Sequence, residues 1–152
     1  TYFREISHKE PKMSWDMYID NLIAQSKDAS GANHCSKACI IGLDGGAKWT
    51  SDTHPNALKV TQSEAATIAR VFKSKDFSAF MASGVHVDNT KYQFLREEDQ
   101  KLVLAKKKDV GALTLQCSKT AIIVCFCPEG SQQGNVNKAC AVIADYLETQ
   151  NM

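Results

Sequence analysis

The chain reads as an α+β domain: a central antiparallel β-sheet of about six or seven strands with helices against both of its faces. Three observations predict this. Helical periodicity is confined to the two ends and one middle stretch, while short apolar runs separated by tight-turn residues fill most of the second half. Neighbouring runs are joined by turns too short for a crossover helix, which makes the pairing antiparallel. Residues 120–127 are almost continuously apolar, so that strand is buried on both sides and the sheet needs a layer on each face.

The first helix begins near Ser14, a good N-cap, with Asp16 in the first turn where the helix dipole favours a negative charge. Trp15, Tyr18, Ile19, Leu22 and Ile23 repeat at the spacing of one helical face. A polar loop containing Gly31 follows. Residues 38–43 form an apolar strand, closed by the turn signal Asp44-Gly45-Gly46, and Lys48 to Ser51 continues as a second strand in a hairpin. Thr61-Gln62-Ser63-Glu64 is a capping box for a helix that carries Ala65, Ile68, Ala69 and Phe72. A short helical piece over 76–81 holds Phe77 and Phe80. Residues 84–87 and 92–96 pair around Asp88-Asn89, residues 101–106 make another strand, and 112–117 pairs with 120–127. A loop over 128–134 leads to a closing helix, 135–150, with Val136, Cys140, Ile143 and Leu147 on one face.

Composition bounds the function. With 152 residues the chain is one domain's worth, long enough to bury a core without a disulfide or a metal. Eighteen Lys and Arg against 17 Asp and Glu leave a net charge of +1, without the basic excess of a dedicated nucleic-acid binder. No apolar run approaches the ~20 residues of a membrane span, and the first eight residues have no signal-like apolar core. A soluble, cytoplasmic protein is expected. Residues 1–12 form a polar lead ending at Pro11-Lys12 and are read as a flexible N-terminal extension, with the domain proper at 13–152.

No catalytic motif stands out, and neither a cofactor nor a metal is expected. The six cysteines lie at C-x3-C, C-x-C and isolated positions, not at zinc-knuckle spacing. They read as thiols packing like small hydrophobes. His34 beside Cys35 is the sole support for a cysteine-dependent enzyme, and sequence neighbours rarely form a nucleophile–base pair.

The aromatics are more informative. Trp15 and Tyr18 are about one helical turn apart, Trp49 lies just past a turn, and Tyr146 is near the end of the last helix. Side-by-side packing of the terminal helices would let these rings meet in one surface groove. Flat rings stack on proline, and indole and phenol donors take up the free carbonyls of a polyproline II segment. Ordinary core packing of Trp15 and Trp49 is the competing reading.

Met13-Ser14-Trp15-Asp16-Met17-Tyr18-Ile19-Asp20-Asn21-Leu22 resembles the N-terminal signature of the profilin family. The likeness continues through Gly42-Leu43-Asp44-Gly45, Trp49, Lys91-Tyr92, Lys106-Lys107, Glu129-Gly130, Gly134 to Cys140, and Asp145-Tyr146-Leu147, all in family order. The resemblance implies a non-enzymatic protein of the cytoskeleton that binds monomeric actin, regulates its polymerisation and nucleotide exchange, and binds proline-rich proteins such as formin-type elongation factors. It also implies terminal helices on one sheet face and short helices on the other. The implied polyproline groove is Trp15, Tyr18, Trp49 and Tyr146, with Leu147 beside it. The implied actin positions are Lys75, Lys106, Gly134, Asn137 and Lys138. Binding of anionic phosphoinositides would fall to Arg96, Lys101, Lys106, Lys107 and Lys108. Three positions depart from the family pattern: Met152 stands where vertebrate members have a tyrosine, Gln132 where a histidine is common, and Leu104 where a basic residue is common. A trafficking-type scaffold with a similar layout is the alternative from another class, and a polyproline resin separates the two.

Overall fold

A computed structural model describes residues 15–152. The proposed extension at 1–12 and the Ser14 cap lie outside the described residues. The first helix, α1, spans Asp16–Gln25, with Trp15 as its N-cap residue and no side-chain cap. It is followed by β1 (Lys37–Gly42), α2 (Gln62–Ser74) and α3 (Ser78–Ser83). Then come β2 (Val85–Val87), β3 (Thr90–Glu98), β4 (Leu102–Lys107), β5 (Gly111–Cys117), β6 (Ala121–Pro128) and α4 (Gln133–Thr149). The six strands form one antiparallel sheet in the order β1-β6-β5-β4-β3-β2. The apolar β6 is interior, one strand from the edge.

Alternation along the strands sends side chains to two cores. Ile122 and Val124 of β6, Leu113 and Leu115 of β5 and Val103 of β4 join α2 and α3 in one cluster. Ile123 and Cys125 of β6 and Ile40 of β1 join α1 and α4 in the other. The sheet is therefore buried on both faces, and the two terminal helices share one of them. α4 lies over β5 and β6, and α1 over β1, with α1 and α4 packed together.

The capping box is present as read. Thr61 Oγ1 accepts the Glu64 N–H at 3.1 Å, and Glu64 Oε1 accepts the Thr61 N–H at 2.9 Å. The same carboxylate reaches a second element. It accepts the Asp88 N–H at 2.9 Å and the Asn89 N–H at 2.8 Å, in the β2–β3 turn where both residues are left-handed at φ 53° and 59°. Glu64 thus caps a helix and a hairpin at once. Glu64→Ala is expected to lower stability by about 1–3 kcal/mol, more than a lone cap, read as a shift of the urea midpoint with unchanged slope.

Several boundaries differ from the sequence expectation, three of them beside the features that matter for the fold. The second strand of the first hairpin reduces to one antiparallel bridge, Ile41 with Lys48. The reason is Thr50, whose hydroxyl accepts the Ile40 N–H at 3.1 Å and so occupies the ladder position that a backbone carbonyl would take. The edge beyond is covered instead by the segment around Ala57, which bridges Ala38 in parallel. The helix expected over 76–81 begins at Ser78, because Asp76 Oδ1 accepts both the Ser78 N–H and its hydroxyl just before the helix starts. The closing helix starts at Gln133, two residues early, with Gly134 tolerated in its exposed first turn.

Candidate functional site

The aromatic cluster forms where α1, α4 and the segment after β1 meet. The Trp15 ring stacks on Tyr18 with centroids 4.9 Å apart and lies 4.7 Å from Trp49 at a tilt of 43°. Tyr146 belongs to the same cluster, and its phenol is close enough to raise the Tyr18 pKa. Burial first, and Tyr146 second, push the Tyr18 hydroxyl up to about 12. Trp15, Trp49 and Tyr146 are half-buried, with ring surface left to solvent. Tyr18 is buried at 5 % exposure. Leu147, at 1 %, lies in the core and supports the rings from below rather than lining a groove. Met152 packs against the same cluster, so a flexible thioether stands at the end of the shelf.

The basic residues divide into separate groups. Lys106, Lys107 and Lys108 line a surface cavity of about 450 Å³ together with Lys91, Gln93, Phe94, Phe80 and Met81. No carboxylate lines it, and Met81 is 65 % exposed. Lys101 lies at the opposite end of β4, and with Arg96 it lines a second cavity beside Asn137 and Lys138. Asn137 is held there by its Oδ1, which accepts the Thr114 hydroxyl at 2.5 Å. Gly134 is exposed in the first turn of α4. Lys75 shares a cavity with Lys101 and lies apart from Lys106, Lys107 and Lys108. It ends α2 in a left-handed conformation, φ 59°, and lines a third cavity with Lys73, Lys119, Cys117 and Glu148. The structure thus groups Arg96, Lys101, Asn137 and Lys138, brings Lys75 to Lys101 in the third cavity, and places Lys106 in a separate one.

Met81 and Phe94 were not singled out from the sequence, and Lys91 entered only as part of the family likeness. Phe80-Met81 reads as one apolar pair on a short helix, and only the tertiary arrangement turns Phe80 inward and Met81 outward.

The His34–Cys35 pair does not form a nucleophile and base. His34 Nε2 is 2.7 Å from Asp28 Oδ2, and His34 Nδ1 accepts the Gln132 N–H at 2.9 Å, so both ring nitrogens are engaged elsewhere. The Cys35 thiol faces the Lys37 carbonyl at 3.3 Å. Asp28 is held well below the usual carboxylate range by the Ser30 hydroxyl, His34 and the Ala32 N–H. All six cysteines are free, and only Cys117 is not buried. Cys140 Sγ and Cys125 Sγ touch at 3.0 Å. Burial pushes Cys39 up to about 12, Cys127 to about 11 and Cys125 well above its ordinary value, which suppresses the reactive thiolate. Among the described residues no group of three metal-ligating side chains could hold an ion, and no helix is long and apolar enough to cross a membrane.

A family model described as Profilin matches residues 13–152. The chain is 69% identical over 140 residues to a profilin of Clypeaster japonicus, covering 92% of this chain and all of that one. It superposes on crystalline profilin II of Acanthamoeba castellanii with a TM-score of 0.73 at 26% identity, over 91% of this chain and all of that one. Mouse profilin IIa, in complex with a double repeat from the FH1 domain of mDia1, shares the fold at a TM-score of 0.68 and 20% identity, over 92% of this chain and all of that one.

Proposed function

The chain belongs to the profilin family, and on that premise we propose that it binds monomeric actin through one surface and proline-rich segments through another, without covalent chemistry. The observation that carries the second half is the shelf of Trp15, Tyr18, Trp49 and Tyr146, built from both chain ends and left partly open. A polyproline II ligand presents flat rings and unpaired carbonyls. Stacked indoles and a protonated phenol match both. That mouse profilin IIa was captured with an FH1 repeat supports the same class of partner, formin-type proline-rich proteins.

The actin surface falls to Lys106, Gly134, Asn137 and Lys138, joined by Arg96 and by the exposed Met81 with Lys91 and Phe94. An exposed thioether ringed by unpaired lysines fits a partner face that is apolar at its centre and acidic at its rim. Lys75 is carried as a peripheral contact. Asn137 and Tyr146 are nine residues apart on one helix, about 14 Å along its axis, so both ligands fit together. Actin held this way is kept from nucleating, and any faster nucleotide exchange requires tighter binding to the open state of its cleft. A cytoplasmic, cytoskeletal setting follows from those partners.

Phosphoinositide binding falls to Lys106, Lys107 and Lys108 with Lys91, while Arg96 and Lys101 would form a second, weaker contact because Glu98 and Asp99 sit beside them.

Parallel pull-downs on polyproline resin and on monomeric actin test the two surfaces. Retention on both is expected; retention on actin alone would make the aromatic shelf ordinary packing. Flotation with anionic vesicles, unchanged by Lys106→Glu with Lys107→Glu, would remove the lipid contact.

A further inference from the structure

Trp49 is aimed by very little of the sheet. Beyond Gly42 its segment makes a single bridge to β1. The Trp49 and Thr50 N–H groups share one acceptor, the Ile40 carbonyl, at 2.9 and 3.3 Å. The Thr50 hydroxyl accepts the Ile40 N–H at 3.1 Å, and after Thr50 the chain leaves the ladder until Asn56 to Leu58 meet Ala38. A tryptophan on such a segment would ordinarily sample several orientations, yet its ring lies against Trp15.

Two carboxylates one turn apart on α1 account for this. Asp16 Oδ1 accepts the Ser51 N–H at 2.6 Å, and Asp20 Oδ1 lies 2.8 Å from His54 Nε2. His54 Nδ1 accepts the Asn56 N–H at 2.9 Å, so the ring proton sits on Nε2 and points at Asp20. The segment after Trp49 is therefore fastened to the helix that carries Trp15 and Tyr18. On the other side, a Cβ on Gly42 would come within 2.9 Å of Trp49 Nε1 and 3.3 Å of its Cε2. The indole thus rests directly on bare backbone, and only glycine leaves it that seat.

We infer that Asp16, Asp20 and His54 form a clamp, with Gly42 as the seat, and that these positioning residues hold Trp49 at the angle the aromatic shelf requires. The inference rests on the proline-rich reading above. None of the four need touch the ligand. Their effect is to order one large side chain before binding, so that the ligand does not have to.

The test uses the full chain, a decaproline peptide, and the circular-dichroism couplet of the Trp15–Trp49 pair, with a urea midpoint for each variant. Asp20→Ala and His54→Ala are expected to weaken decaproline binding roughly three- to tenfold, the ordering cost of one side chain, and to shrink the couplet in fully folded protein. Asp20→Asn keeps an acceptor oxygen for Nε2–H and is expected to restore both. Gly42→Ala displaces the indole itself and is expected to lose more binding than either. Binding and couplet unchanged in Asp20→Ala would overturn the clamp, as would an equal loss in Asp20→Asn. Failure of the wild-type chain to bind decaproline would defeat the proline-rich reading and this inference with it as a statement about binding. The couplet series would still report separately whether the clamp orders Trp49.

Discussion

Trp15→Ala is expected to abolish retention on polyproline resin while the protein stays folded and keeps its affinity for monomeric actin. Trp15 is the middle ring of the cluster, in contact with Tyr18 on one side and Trp49 on the other. Removing it takes away one stacking surface and the lateral support of a second. Central aromatic anchors of this kind cost about 2–4 kcal/mol on truncation, roughly 30- to 1,000-fold in affinity. The cost to folding is smaller, about 1–2 kcal/mol, because the ring is only half-buried at the N-cap of α1. The proposed actin residues lie elsewhere, at the first turns of α4 and on β3 and β4. Simultaneous loss of resin binding, actin binding and cooperative unfolding would make Trp15 a core residue and defeat the groove assignment.

A large effect on stability is expected from Gly46→Ala. Gly46 has φ +77°, and a Cβ there would lie 2.5 Å from the Ala65 carbonyl oxygen and 2.6 Å from its carbon. Both obstacles are backbone in the first turn of α2, so no side-chain rotation relieves the clash. Left-handed strain and forced displacement of the turn from the helix add to about 3 kcal/mol or more. For a chain of this size that lowers the thermal midpoint by about 6–12 °C. Gly45→Ala is the control: its φ is similar, +83°, but nothing lies within 4 Å, so only the conformational cost of about 1 kcal/mol remains. Equal midpoints for the two variants would mean that the turn can move off the helix freely.

Most of the fold was legible because its signals are local. The Thr61 to Glu64 box is four residues long and dictates its own geometry. Asp88-Asn89 tolerates the left-handed backbone that a two-residue hairpin needs. The apolar stripe of Val136, Cys140, Ile143 and Leu147 becomes the buried face of α4. Strand ends were less legible where a side chain substituted for backbone. Thr50 does so at β1, and no periodicity announces it. The site was legible in its rings and not in its supports. Trp15, Tyr18, Trp49 and Tyr146 stand out by type, whereas Asp20 reads as one more solvated charge on α1 until His54 is found beside it. The basic positions were grouped by family likeness and residue type, and the length of β4 is what separates Lys101 from Lys106.

α4 is an unbroken helix of 17 residues, its first turns beside the basic end of the sheet and its last turns beside the aromatic shelf. Its leading end is fastened by the bond from the Gln132 N–H to His34, and its trailing end by the Met152 carbonyl, which accepts the Ser118 hydroxyl at 2.9 Å. On the proposed function it is a fixed ruler between the two partners. A partner that offers its proline tract and an actin-contacting module on one tether meets a span it cannot adjust, so tether length alone sets the effective concentration of the second encounter. Tethers shorter than the span gain nothing from the first contact, and those well beyond it lose the advantage gradually.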